Sequence, residues 1–204
     1  MMPGDMKLGQ LPDQRQLEMT KIARHYGFHA TLKPPFRTQK GIGFEVIDAA
    51  LEEFAAQHKS FEVPALDLSV LDGFVALRPR EDCKKLQNFA AKCVRAFDLF
   101  RLPPTDMDRA KHFQSNLSDR QKQNFEDWGY PYVMKDYRFH MTLTDRLQGP
   151  ELETVLQGLA DKATHVLGAK PWLFDSVTLV KQSTSSARFQ DLKRYPLRST
   201  SKIA

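Results

Sequence analysis

Two short phrases carry the residues best suited to proton transfer. "YGFHATL" fills positions 26–32 and "YRFHMTL" positions 137–143, 111 residues later. Five of the seven residues agree: Tyr26 with Tyr137, Phe28 with Phe139, His29 with His140, Thr31 with Thr142, and Leu32 with Leu143. Side chains of an extended strand point alternately to its two faces. A His-x-Thr segment therefore sets imidazole and hydroxyl on one face and its aromatic and aliphatic neighbours on the other. Two such faces turned toward each other hold two imidazoles and two hydroxyls, which suits a tetrahedral phosphate diester. Hydroxyls and cations can hold the non-bridging oxygens, while displacement at phosphorus needs a base on the entering oxygen and an acid on the leaving one. Histidine, with an ordinary pKa of about 6.5, serves in either state near neutrality. His29 and His140 are thus the expected acid–base pair, in either order, and Thr31 and Thr142 the expected phosphate contacts. Strand parity adds Lys33, Arg138 and Arg146 as phosphate-binding cations, each of which also reads as an ordinary charged rim residue. One His-x-Thr is a chance event; two copies with matching flanks are not.

The elements around the phrases repeat as well. Residues 43–58, "GFEVIDAALEEFAAQH", place Phe44, Ile47, Leu51, Phe54 and Ala55 on one face of an amphipathic helix. "FEVPALDLSVLDGFVALRPR" divides at Asp72-Gly73 into an antiparallel hairpin. A second long helix follows from residue 81, with Cys83 and Cys93 in its apolar stripe. Ten helical residues separate these thiols by about 15 Å, too far for a disulfide, so buried free cysteines are expected. Residues 103–135 read as an irregular connection, with Ser118 and Asp119 offering an N-cap for one short helix toward Trp128. After the second phrase come a helix, "GPELETVLQGLADKATHVLG", and two strands joined by "STSS". Each half reads strand, helix, strand, strand, as a divergent duplication does. The expected fold is α+β: one domain over 1–204 with two pseudo-symmetric lobes, each an antiparallel sheet with helices on its outer face, and a groove between them. Lobe 1 would span 24–102, the connection 103–135, lobe 2 136–198, and a tail 199–204. Pro34 and Pro35 would end the first phrase's strand at a sheet rim.

Composition narrows the function classes. The 204 residues are 41% hydrophobic and 27% charged, as in an ordinary globular protein. No window is apolar enough to cross a bilayer and the start carries no secretory core, so a cytoplasmic protein is expected. The net charge of +5 and pI of 9.2 favour anionic partners in a general way. The basic residues are scattered, with an excess in the last stretch that includes Lys202. A small phosphate ester is therefore favoured over RNA as the partner. His25, His58, His112 and His165 form no constellation with carboxylates or cysteines, so no metal site is expected. Gly41-Ile42-Gly43 lacks the rest of a nucleotide-binding loop, and no cofactor is expected.

"YGFHATLKPPF" and "FHMTLTDRL", with "WGYPYV" upstream of the second, resemble the signature of the 2H phosphoesterase superfamily, which includes RNA ligase-like phosphoesterases and cyclic nucleotide phosphodiesterases. More narrowly, they resemble its bacterial branch often encoded beside phosphonate-degradation genes. The resemblance implies a metal-independent hydrolase acting on a cyclic or strained phosphodiester, with His29 and His140 as catalytic histidines and Thr31 and Thr142 on the phosphate. The phosphonate association implies a phosphorylated ribose as substrate. One departure stands out: relatives begin with a hydrophobic strand of the type "RYAIYF", where this chain has "PDQRQLEMTKIARH", and a missing strand would expose a sheet edge. A protein that keeps the groove to bind a cyclic phosphate or an RNA end without catalysis is the alternative, and hydrolysis and ligation both remain open.

Overall fold

The computed structural model describes residues 12–184 and 186–199. The tail beyond Ser199, with Lys202, the first eleven residues and Ser185 of the "STSS" turn lie outside them. In chain order the elements are α1 (Asp13–Met19), α2 (Lys21–Tyr26), α3 (Phe44–Gln57), β1 (Phe61–Val63), β2 (Leu66–Leu71), β3 (Phe74–Pro79) and α4 (Lys84–Ala96). They continue as α5 (Asp106–Phe113), α6 (Asp119–Trp128), β4 (Met141–Arg146), α7 (Gly149–Leu167), β5 (Trp172–Phe174), β6 (Ser176–Lys181) and β7 (Gln190–Pro196). The class is α+β with small antiparallel sheets.

Asp72 and Gly73 turn β2 into β3 with φ of 46° and 88°, the two positive values that a tight hairpin turn matching strand twist requires. The other edge of β3 pairs with β4, giving the order β2-β3-β4, while β1 pairs with β5 and β6 with β7. Strand pairing therefore crosses the boundary expected at 103–135 in the β2-β3-β4 and β1-β5 sheets, while β6-β7 lies within 136–198. Helix packing crosses too: α7 lies on β2, and α3 lies on β6 and β7. Each half lays its long helix on the hairpin of the other half. The apolar faces of both helices and both hairpins are alike in pattern, so periodicity alone does not say which covers which.

The main core gathers around α4, whose Leu86, Phe89 and Cys93, with Phe97 at its C-cap, meet Leu51 and Phe54 of α3, Val63 of β1, Phe174 of β5 and Tyr195 of β7. Phe89 touches the rings of Phe54, His58, Phe61 and Phe174. Burial pushes the Cys93 thiol up to about 12, which keeps it protonated and inert. Cys83 stands just before α4 and is half-buried, and both thiols are free. A second cluster of Met19, Val75, Leu147, Val155 and Leu159 seats α1 and α7 on the three-stranded sheet.

The connection is more ordered than its pattern suggested. Besides α6, capped by Ser118 with Gln121, it contains α5, capped by the reciprocal pair Thr105 and Asp108. Buried Asn124 donates to the carbonyls of Pro131 and Val133 and to Asp136, whose carboxylate also accepts two hydrogen bonds from Arg120 at 2.7 and 2.9 Å. Arg120 holds the Asp136 carboxyl below the usual range, outweighing its burial. A carboxyl whose pKa falls on folding adds stability above its unfolded value of about 3.9 and loses it as pH drops through the folded value. Urea midpoints are therefore expected to stay level from pH 7 to 5 and decline below about pH 4. Asp136→Asn should flatten that acid decline; an unchanged slope would remove Asp136 as its source.

Candidate active site

The two phrases are held differently. The second follows its expectation in part: Thr142 lies in β4, opposite Ala76, and His140 stands one residue before the strand. The first is not a strand. Helix α2 runs through Tyr26, Gly27 at φ 75° redirects the chain, and residues 28–32 have no ladder partner. Two features account for this. Pro34 and Pro35 lack the N–H groups that would extend a ladder, and the flank of β4 is taken by α2. The Asp145 carboxylate in β4 accepts from the amides of Ile22 at 2.9 Å and Ala23 at 3.1 Å, capping α2 from another element. Parity fails locally as well: Ala30 and Leu32 pack on the core, but Phe28 is 52% exposed. Asp145→Ala is expected to cost about 0.5–2 kcal/mol, as loss of a helix cap does, and to speed hydrogen exchange at Ile22 and Ala23. Unchanged exchange would show that the cap does not hold α2.

In β4, the ladder passes from Ala76–Thr142 to Phe74–Arg146, so two more residues lie on β4 than on β3. Thr144 fills the break: it is 1% exposed, accepts from the amide of Val75 at 3.0 Å and donates to the carbonyl of Asp145 at 2.8 Å. The chemical face read from strand alternation therefore stops at Thr142, and Thr144 is a framework residue.

Despite these different settings, the two imidazoles are oriented by the same bond. His29 Nδ1 lies 3.0 Å from the carbonyl of Gly27, and His140 Nδ1 2.8 Å from that of Arg138, each two residues upstream. A carbonyl only accepts, so Nδ1 carries the hydrogen and the lone pair of each neutral ring sits on Nε2. His29 Nε2 is 3.0 Å from Thr31 Oγ1, which donates to it. His29 is exposed and His140 half-buried. Tyr26 stacks on Phe189 and leans on the His29 ring, and Phe74 borders His140.

The phrases also touch each other. Tyr137 Oη donates to the carbonyl of Thr31 at 3.1 Å. Ala30 and Leu32 of one copy share an apolar cluster with Tyr137, Phe139 and Met141 of the other. Burial pushes the Tyr137 phenol well above its ordinary range, so it remains a donor. The paired tyrosines were visible in the sequence, but this bridging role was not.

The cations divide. Lys33 is taken up within the fold: its ammonium, 8% exposed, donates to the carbonyl of Val94 and to Asp98 at 3.1 Å each and lies over the Phe36 ring. Burial lowers its pKa. Its expected place among phosphate ligands is corrected accordingly, because an ammonium bound on the α4 side is not directed with His29 and Thr31. Arg138 and Arg146 are exposed and form no ion pair with other described residues. Sequence reasoning passed over Arg78, which the hairpin places on the β3 face that carries Ala76, opposite Thr142.

Among the described residues, no three His, Cys, Asp or Glu side chains gather as metal ligands, and no helix is long and apolar enough to cross a membrane. His58 accepts its place at the end of α3 through Phe54, whose carbonyl lies 2.7 Å from Nδ1, and His112 packs on Phe125 and Tyr130. A shallow recess at Asp175, Ser176, Arg194 and Pro196 contains neither phrase.

Relatives add context. A protein of Janthinobacterium sp. (strain Marseille) named ribose 1,5-bisphosphate phosphokinase PhnN is 34% identical over 181 residues, which cover 87% of this chain and 40% of that protein. One of Laribacter hongkongensis (strain HLHK9) with the same name is 30% identical over 168 residues, covering 82% of this chain and 38% of that protein. The chain thus spans about two fifths of the curated relatives it matches. No solved structure matches it. Residues 31–190 match the family described as "Protein of unknown function (DUF1045)". That match takes in the whole of the second phrase and most of the chain, which therefore belongs to the DUF1045 family.

Proposed function

We propose that this protein is a phosphodiesterase of the 2H type that opens a small cyclic phosphodiester on a phosphorylated ribose. One imidazole removes a proton from the attacking water as its oxygen bonds to phosphorus. The other protonates the ring oxygen as its bond to phosphorus breaks, leaving a phosphate monoester and a hydroxyl. Thr31 and Thr142 hold non-bridging oxygens. The reading is carried by the matched Nδ1–carbonyl bonds, which make Nε2 the proton-transfer atom of each ring, the one on His29 being met by the Thr31 hydroxyl. In this reading His29 and His140 meet the phosphate from opposite sides.

The relatives' name supports the substrate class. Opening a cyclic phosphate bridging O1 and O2 of 5-phosphoribose, with O2 leaving, yields ribose 1,5-bisphosphate, the compound in that name. We assign the phosphokinase named there to the part of those proteins that this chain does not span. The place in phosphonate metabolism rests on the same resemblance. The test is a screen of ribose and nucleoside cyclic phosphates by phosphorus NMR. A monoester forming from a cyclic phosphoribose is expected, and saturable binding without product would make this a binding protein instead. A second reading, that the chain itself is a ribose bisphosphate phosphokinase, is favoured by the relatives' names and opposed by the lack of a glycine-rich loop ending in lysine. Consumption of ATP with ribose 1,5-bisphosphate would establish it.

A further inference from the structure

Strand β3 carries a cation with nothing to hold. The Arg78 side chain makes no hydrogen bond or ion pair with another described residue, and its Nε is buried without a partner. The carboxylate opposite it in β2, Asp67, serves the amide of Leu68 at 2.9 Å and Arg80 at 3.4 Å. A buried donor left unmade costs stability, more so on a charged group, so an arginine in this state fits a role that an anion completes.

Its position says which anion. Leu77 pairs with Met141 and Ala76 with Thr142, the last rungs of the ladder, so Arg78 and His140 follow on adjoining chains just beyond it. Alternation along β3 puts Phe74, Ala76 and Arg78 on one face, and the contact of Phe74 with the His140 ring at 5.7 Å shows that His140 points to the same face. Arginine has a long side chain, so its guanidinium can come beside an imidazole on the adjoining chain. A guanidinium keeps its charge throughout the working pH range and presents a planar fork that matches phosphate oxygens.

We propose that Arg78 is the anion anchor of the site, holding a non-bridging oxygen of the substrate phosphate beside His140. This rests on the phosphodiesterase reading for its substrate but is tested separately, by binding. Inorganic phosphate and a nucleoside 2′,3′-cyclic phosphate are titrated into wild type, Arg78→Gln, Arg78→Lys and His140→Ala, with affinity followed by NMR of the remaining histidine rings and folding checked by circular dichroism. Arg78→Gln should weaken phosphate binding at least about 10-fold and lower kcat/KM about 100-fold, as loss of one charge-stabilising donor does. Arg78→Lys should recover part of both, and the pH profile should keep its shape because arginine does not titrate there. Wild-type phosphate affinity in folded Arg78→Gln, or no phosphate binding by wild type, overturns the anchor. If binding depends on Arg78 while no cyclic phosphate is turned over, the anchor stands and the catalytic reading falls. If turnover needs both histidines while folded Arg78→Gln binds as wild type does, the anchor falls and the catalytic reading stands.

Discussion

Replacing His29 or His140 by alanine is expected to lower kcat/KM for cyclic phosphodiester hydrolysis by about 10²–10⁴-fold, the range a positioned acid or base contributes. In the proposed mechanism each ring supplies one of two proton transfers, so the double variant should lose much less than the product of the single losses. Wild type should show a bell in pH, from one neutral and one protonated imidazole, and each single variant should lose one limb. Neither side chain is a core residue, since His29 is exposed and His140 half-buried, so melting temperatures should move little. Thr31→Val belongs to the same experiment, because the Thr31 hydroxyl donates to His29 Nε2 and is proposed to hold a phosphate oxygen, so its loss should lower kcat/KM. Folded alanine variants that turn over at the wild-type rate would end the acid–base assignment.

Phe89→Ala is expected to destabilise the fold by about 3–5 kcal/mol, the cost of emptying a large aromatic site in a core. Phe89 is 4% exposed and meets Phe54 of α3, Phe61 of β1 and Phe174 of β5. Its contacts join an element of the second half to elements of the first, so the cavity cannot close by shifting one helix. Domains commonly hold only about 5–15 kcal/mol in reserve, and this loss would leave a substantial unfolded fraction on warming. Equilibrium denaturation measures it. A cost under about 1 kcal/mol would show that the two halves do not depend on this ring.

Legibility from sequence followed the range of the interactions. Local rules placed α3 by its apolar period, the β2–β3 turn by Asp72-Gly73 and α6 by its Ser118 cap. Helix α5 was missed although Thr105 and Asp108 form the same kind of cap as Ser118 and Gln121; the surrounding prolines and polar residues masked it. The first phrase was expected as a strand because its composition allows one, but a strand needs a neighbour, and α2 stands beside β4 instead. Lys33 has the right alternation on paper, while a carboxylate 65 positions away, Asp98, decides where its ammonium goes. Arg78 could not be singled out without knowing that β3 pairs with β4. The histidines themselves stood out because the phrase around them is repeated, which needs no coordinates to see.

The exchange of helices between hairpins bears on how such a molecule could arise. A progenitor with a single copy of the unit would have had no hairpin of its own positioned to receive its helix, and two identical chains embracing each other would satisfy both. Joining two genes end to end then turns that embrace into one polypeptide, after which the copies are free to diverge. A polar connector such as 103–135 is where the seam of that fusion would lie.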